Sequence, residues 1–154
     1  MKRELDRIDR RILAELQRDG RLSRQELSER VGLSPTPCLR RMRMLEEEGV
    51  ITGFTVLVDE TQVGFGFSVF VSVKLDRQVD DQLVAFEKAI ALCPEVVDCW
   101  LMTGSRDYLL RIAVANLREF EQFLTGKLTK VPGVASLETA IPIRRVKGHQ
   151  ARIA

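Results

Sequence analysis

The sequence has little of what metal and covalent chemistry needs. It holds one histidine, His149, and three cysteines, Cys38, Cys93 and Cys99, an odd number without C-x-x-C spacing. That pattern argues against a disulfide framework or a zinc site and fits small buried thiols in a reducing compartment. His149 lies in a basic tail with no cysteine or carboxylate constellation beside it. There is no Walker pattern and no G-x-G-x-x-G after a strand, so phosphate-cradling loops are missing as well. Asp80 and Asp81 are adjacent carboxylates, but at a helix start they read as cap and dipole partners rather than an acid–base pair. Cys99, beside Trp100, has no base in view to activate its thiol. An enzyme, a metal or a cofactor is therefore not expected. Behind the charged start MKRELDRID there is no apolar h-region, and no run nears the roughly 18 apolar residues of a membrane span. The expectation is a cytoplasmic protein with no membrane partner.

What is present is a chain of 154 residues, 45% apolar, enough for one ordinary domain or two small ones. Its net charge of +2 says little by itself. Residues 1–53 hold 12 Lys and Arg against 10 Asp and Glu, while residues 54–154 hold 12 against 12, so the excess lies in the first third.

That third is organised around residues 22–51, LSRQELSERVGLSPTPCLRRMRMLEEEGVI. Ser23 and Glu26 have the S-x-x-E spacing of a capping box, Leu27 and Val31 share a face, and Gly32 supplies a stop. Ser34 is placed to cap a second helix, with Pro35 and Pro37 in a first turn that tolerates missing N–H groups. Spacing by three assigns Leu39, Met42 and Leu45 to the interior and leaves Arg40, Arg41 and Arg43 projecting outward. Residues 5–18 form a supporting helix through Leu5, Ile8, Ile12, Leu13 and Leu16. Two short helices around a glycine turn describe a helix-turn-helix. The same spacing also suits an ordinary helix pair with a solvated arginine face, and Glu46, Glu47 and Glu48 sit badly for the dipole of their helix end.

The second half changes period. Residues 54–58, FTVLV, are β-rich and suit a wing or a linker strand in which Val56, Leu57 and Val58 need burial; Asp59–Gly66 is the expected boundary. Phe67, Val69, Val71, Val73 and Leu75 alternate as a half-buried strand. A helix over 80–92 follows, with Leu83, Phe86 and Ile90 inward. Strands over 96–103 and 108–115 are joined by the turn Gly104–Asp107. Asn116 and Glu119 open a helix burying Leu117, Phe120, Phe123, Leu124 and Leu128. A last strand places Leu137, Thr139, Ile141 and Ile143 on one face, and Pro142 puts it at an edge. The order β-α-β-β-α-β is the ferredoxin-like arrangement. Its helix-free face, with Phe70, Trp100 and Leu109, would be an exposed apolar patch, so two copies are expected to pack sheet against sheet.

VGLSPTPCLRRMRMLEEEGVI, preceded by LDRIDRRILAELQRDGRLS, resembles the N-terminal signature of the Lrp/AsnC transcription regulators, and the likeness runs on through the C-terminal half. It implies an α+β chain: a (winged) helix-turn-helix domain over 1–53, a linker strand over 54–66 and a ferredoxin-like effector-binding and oligomerisation domain over 67–154. It also implies regulation of amino-acid metabolism by sequence-specific binding to double-stranded DNA, and a homodimer that assembles to an octamer. For DNA, residue types nominate Ser34 and Thr36 at a helix N-terminus, Arg40, Arg41 and Arg43 along it, and Arg24 and Gln25 on the preceding helix. The turn Gly104, Ser105, Arg106, Asp107 and Tyr108 reads from the residues as a hairpin in which Asp bonds its own backbone. The resemblance instead makes it the place where a small amino-acid effector binds, between subunits. Gly104, Asp107 and Tyr108 match that pattern; Ser105 and Arg106 depart from it, and Arg106 is free either to pair with an effector carboxylate or to be solvated. The alternative is an amino-acid sensor working through protein contact without DNA. An RNA-binding sheet is disfavoured, since its strands lack the aromatic signature.

Overall fold

The computed structural model describes residues 3–148 and 151–153; His149 lies outside them. The chain divides into two compact units, Met1–Val56 with Lys147–Ala154, and Leu57–Val146.

The first unit is three helices, α1 (Arg7–Arg18), α2 (Arg24–Val31) and α3 (Pro35–Glu47). At α1, Asp6 is the N-cap: its side chain accepts from the backbone N–H groups of Ile8 and Asp9, and the Asp9 carboxylate accepts from the Asp6 N–H. This reciprocal box satisfies orphan donors and places two carboxylates at the positive end of the helix dipole. At α2 the expected box forms between Ser23 and Glu26, and Gly32 stops the helix at φ +74°. Gly49 ends α3 at φ +68°, in the left-handed region that favours glycine.

The core joins Ile12, Leu27, Val31, Cys38 and Leu45. The inward stripe of α3 thus begins at Cys38 and runs through Met42 to Leu45, with Leu39 off the cluster. Spacing of four and three fits 3.6 residues per turn better than spacing by three alone, and this shift also turns Arg41 inward.

The second unit carries β1 (Phe67–Leu75), α4 (Asp80–Ala91), β2 (Val96–Leu101), β3 (Tyr108–Val114), α5 (Leu117–Gly126) and β4 (Val134–Ala140). The strands form one antiparallel sheet in the order β2-β3-β1-β4, the ferredoxin-like topology. Val69, Val71, Val73 and Leu75 of β1 pack with Phe86 and Ile90 of α4 and Phe120 and Phe123 of α5. Ser72 pairs with Leu109, which pairs with Trp100. Because opposed residues share a face, Phe70, Leu109 and Trp100 lie together on the side without helices.

Some apolar residues are not where periodicity assigns them. Leu117 is exposed, because α5 starts there, capped by Asn116. β4 stops at Ala140, ahead of Pro142, so Ile141 and Ile143 lie outside it, exposed. Residues 54–58 pair with no strand, and Val56 is 78% exposed. Cys38 is buried, but Cys99 sits exposed on the sheet-edge strand β2. Burial raises the thiol pKa at Cys38 and Cys93, which keeps them protonated.

Candidate functional site

Ser34 caps α3 by position, yet its hydroxyl makes no cap bond. Ser34, Thr36, Arg40 and Arg43 are exposed, as are Arg24 and Gln25 at the start of α2. Gln25 donates to Glu29 at 2.6 Å, whereas Arg40 and Arg43 make no ion pair among the described residues. The start of α3 therefore offers two hydroxyls and the Thr36 N–H, with the Arg40 and Arg43 guanidinium groups further along the helix, to an approaching anion.

Arg41 does not project outward with its neighbours, as the spacing had it. Its Nη1 donates to Asp6 Oδ2 at 2.6 Å and to Asp9 Oδ1 at 2.9 Å, back into the helical unit. Asp9 is fully buried and also accepts from Arg3 at 2.6 Å. Burial pushes the Asp9 carboxyl up, but the bonds from Arg3 and Arg41 outweigh it and hold the group below its ordinary value. Leaving such a carboxylate without partners would cost about 3–5 kcal/mol. Arg3 reaches on to Glu48 at 3.2 Å, which gives one of the trailing glutamates a role.

In the second unit, the turn after β2 has Gly104 at φ +109°, with Gly104 and Ser105 exposed. Asp107 and Tyr108 point inward. Asp107 is buried and accepts from the Leu75 N–H at 2.7 Å, from Lys74 at 3.3 Å and from Gln78. Those bonds hold its carboxyl below the ordinary range even though burial opposes them. Tyr108 is buried against Phe86, ring centroids 4.5 Å apart, and its hydroxyl donates to Glu87 at 2.8 Å. Burial first and that bond second raise its pKa. Arg106 is partly exposed and donates to Ser136 and to Glu138 of β4, both at 2.8 Å. Three of the five nominated turn residues are thus engaged within the chain. Glu87, Ser136 and Glu138 were missed because their partners lie 21 to 32 positions away. On the open face, Arg111 bonds Asp98 at 2.7 Å and Glu60 at 2.9 Å.

Among the described residues no group of His, Cys, Asp and Glu side chains could hold a metal ion, and no helix is long and apolar enough to cross a membrane.

A three-helix unit with an exposed helix start, followed along the chain by a ferredoxin-like unit, is the layout of a regulator with separate DNA-binding and ligand-binding parts. Comparison with known proteins divides the chain in the same way. A winged helix-turn-helix DNA-binding family matches residues 5–52, and the Lrp/AsnC ligand binding domain matches residues 68–152. The chain is 48% identical over 143 residues to the Bkd operon transcriptional regulator of Pseudomonas aeruginosa, covering 93% of this chain and 94% of that one. It is 43% identical over 145 residues to the leucine-responsive regulatory protein of Escherichia coli, covering 94% and 88%. The solved structure of a transcriptional regulator from Neisseria meningitidis in complex with L-Met superposes with a TM-score of 0.89 at 35% identity, over 94% of each chain. The chain belongs to the Lrp/AsnC family. It is a DNA-binding transcription regulator with an amino-acid-responsive type of domain, and not an enzyme.

Proposed function

We propose that the protein acts in the cytoplasm as a sequence-specific regulator of amino-acid metabolism whose DNA binding is altered by a small amino acid. The observation that carries this reading is the exposed start of α3, where Ser34, Thr36, Arg40 and Arg43 are open to solvent. Arg40 reads a base edge or a phosphate, Arg43 a phosphate, and Arg24 and Gln25 steady the duplex backbone. Two copies pack their open sheet faces together through Phe70, Leu109 and Trp100, and further association gives the octamer. A dimer presents two such helices to half-sites about 34 Å apart. The effector is held at the turn by the exposed backbone of Gly104 and Ser105, and it exchanges with Glu138 for Arg106. Such exchange is cheap, because an exposed ion pair contributes only about 0–1 kcal/mol. The relatives named for leucine and solved with L-Met support an amino acid as the effector.

The test is fluorescence anisotropy of the full chain on a duplex from upstream of its own gene and on a scrambled duplex, with each of the twenty amino acids added in turn. Salt-sensitive preference for the upstream duplex, shifted by one amino acid, is expected. Preference that no amino acid shifts would remove the effector role. Equal binding to both duplexes would remove sequence-specific regulation and favour a sensor acting by protein contact.

A further inference from the structure

We infer that Asp6, Asp9, Arg41 and Arg3 form an ionic clamp that sets the pose of α3, so that Arg41 governs DNA binding without touching DNA. The clamp starts from the α1 cap. Asp6 and Asp9 each satisfy backbone donors of α1 and also accept from Arg41, at 2.6 Å and 2.9 Å. The same carboxylates therefore fix where α1 begins and where the middle of α3 lies. Arg3 extends the arrangement, bridging Asp9 at 2.6 Å and Glu48, the C-cap of α3, at 3.2 Å. So α3 is tied to the start of α1 at its middle and at its end, while its own first turn stays exposed.

Arg41 is surrounded by like-placed guanidinium groups in the sequence, but its geometry is different. Cys38 and Leu45 are buried in the core, and Arg41, three residues after Cys38, lies on their side of the helix. Arg40 and Arg43 lie on the exposed side. The clamp thus makes Arg41 a positioning residue and leaves its neighbours as readers. Both carboxylate bonds use Nη1, which leaves Nε and Nη2 with donors, so the salt dependence of binding is what separates positioning from direct contact.

The two roles predict opposite signs for one substitution. Neutralising an acid in a DNA-binding domain raises DNA affinity if the acid only repels phosphate or withholds an arginine from it. If Asp6 positions α3, the same change lowers affinity. Asp6→Asn suits this test because asparagine caps a helix as well as aspartate does, so α1 keeps its start while losing the charge. The full chain would be titrated with the upstream duplex and a mixed-sequence duplex over a range of salt concentrations. Asp6→Asn and Arg41→Gln should each weaken the upstream duplex by about tenfold, in the range of coupling within one ion-pair network. The mixed-sequence duplex should lose less, because misplacing α3 spoils base contacts more than phosphate contacts. The double variant should bind no worse than Arg41→Gln alone. Plots of log K against log salt should keep their slope, whereas loss of a phosphate contact lowers it by about 0.9. Arg41→Lys should recover part of the loss.

A slope reduced by about one in Arg41→Gln, or tighter binding by Asp6→Asn, would overturn the clamp. If Arg41→Gln fails to fold, the sign of the Asp6→Asn effect still decides. The inference rests on α3 being the DNA-reading helix, which Arg40→Ala with Arg43→Ala examines separately. If that pair leaves both duplexes bound as before, the reading of α3 falls and takes the clamp's purpose with it. If that pair weakens binding while Arg41 shows a contact's slope, only the clamp falls.

Discussion

The helical unit buries five apolar residues in its core, Ile12, Leu27, Val31, Cys38 and Leu45, while the ferredoxin-like unit buries thirteen, from Val69 to Leu128. Their use of polar groups differs to match. In the small unit the buried Asp9 stands at the meeting point of α1 and α3 and is held by two arginines. In the larger unit Asp107 sits at the end of β3's turn and secures Leu75 and Lys74 beside a core that is already continuous. A small unit has too little apolar surface to fix helix positions by packing alone. Caps and ion pairs do more of that work there, and the same groups can then be shared between folding and function.

The largest expected effect comes from core truncation. Phe86→Ala in the larger unit should cost about 3–5 kcal/mol and Leu45→Ala in the helical unit about 2–5 kcal/mol. Although the costs are similar, Leu45→Ala should strip protection from the α2 amides in hydrogen exchange, whereas Phe86→Ala should leave β1 partly protected. Equal retention in both units would break the comparison.

Acid gives the next effect. Asp6 is held at about 2 rather than 3.8, first by the bond from the Asp9 backbone and then by Arg41. Its folded-state value is the lower one, so its contribution is complete above about pH 4 and is lost as pH falls through about 2. Asp9 is lowered too and acts in the same direction. Exchange protection in α1 and α3 should decline over that interval, and Asp6→Asn should flatten the decline. A decline that is unchanged in Asp6→Asn would show that other carboxylates control it. The smallest effect sharpens the point about caps: Ser23→Ala removes the α2 box and should lower stability by about 1 kcal/mol, read by urea denaturation. No change there would mean that α2 is positioned by packing after all.

Much of this was legible in the sequence because it is local. The α2 capping box, the glycine stops and the alternation of β1 depend on residues a few positions apart, and they stand where periodicity puts them. The side of α3 is less legible: spacing by three puts Leu39 inward, while the helix turns Cys38 and Arg41 inward. With Cys38 as the first core position, Arg41 falls on the same side at i+3. The Asp6 and Asp9 box has the same spacing as the one at Ser23, but aspartate stands at both of its positions, outside the Ser/Thr-x-x-Glu/Gln pattern that marks such a box. At the turn, the match of Asp107 and Tyr108 to a family pattern said nothing of which way they point. That depends on β1 and α4, through Leu75, Gln78 and Glu87, which no local pattern connects to the turn.

The open sheet face has one more property. Trp100 is the only tryptophan in the chain, and it lies on that face 44% exposed. The only tyrosine, Tyr108, is buried on the opposite side of the sheet. Excited at the red edge of its absorption, where indole absorbs and phenol does not, the protein emits from a single known place. Its emission colour is therefore a built-in gauge of whether the face is wet or covered, with no label to attach and no second chromophore to subtract.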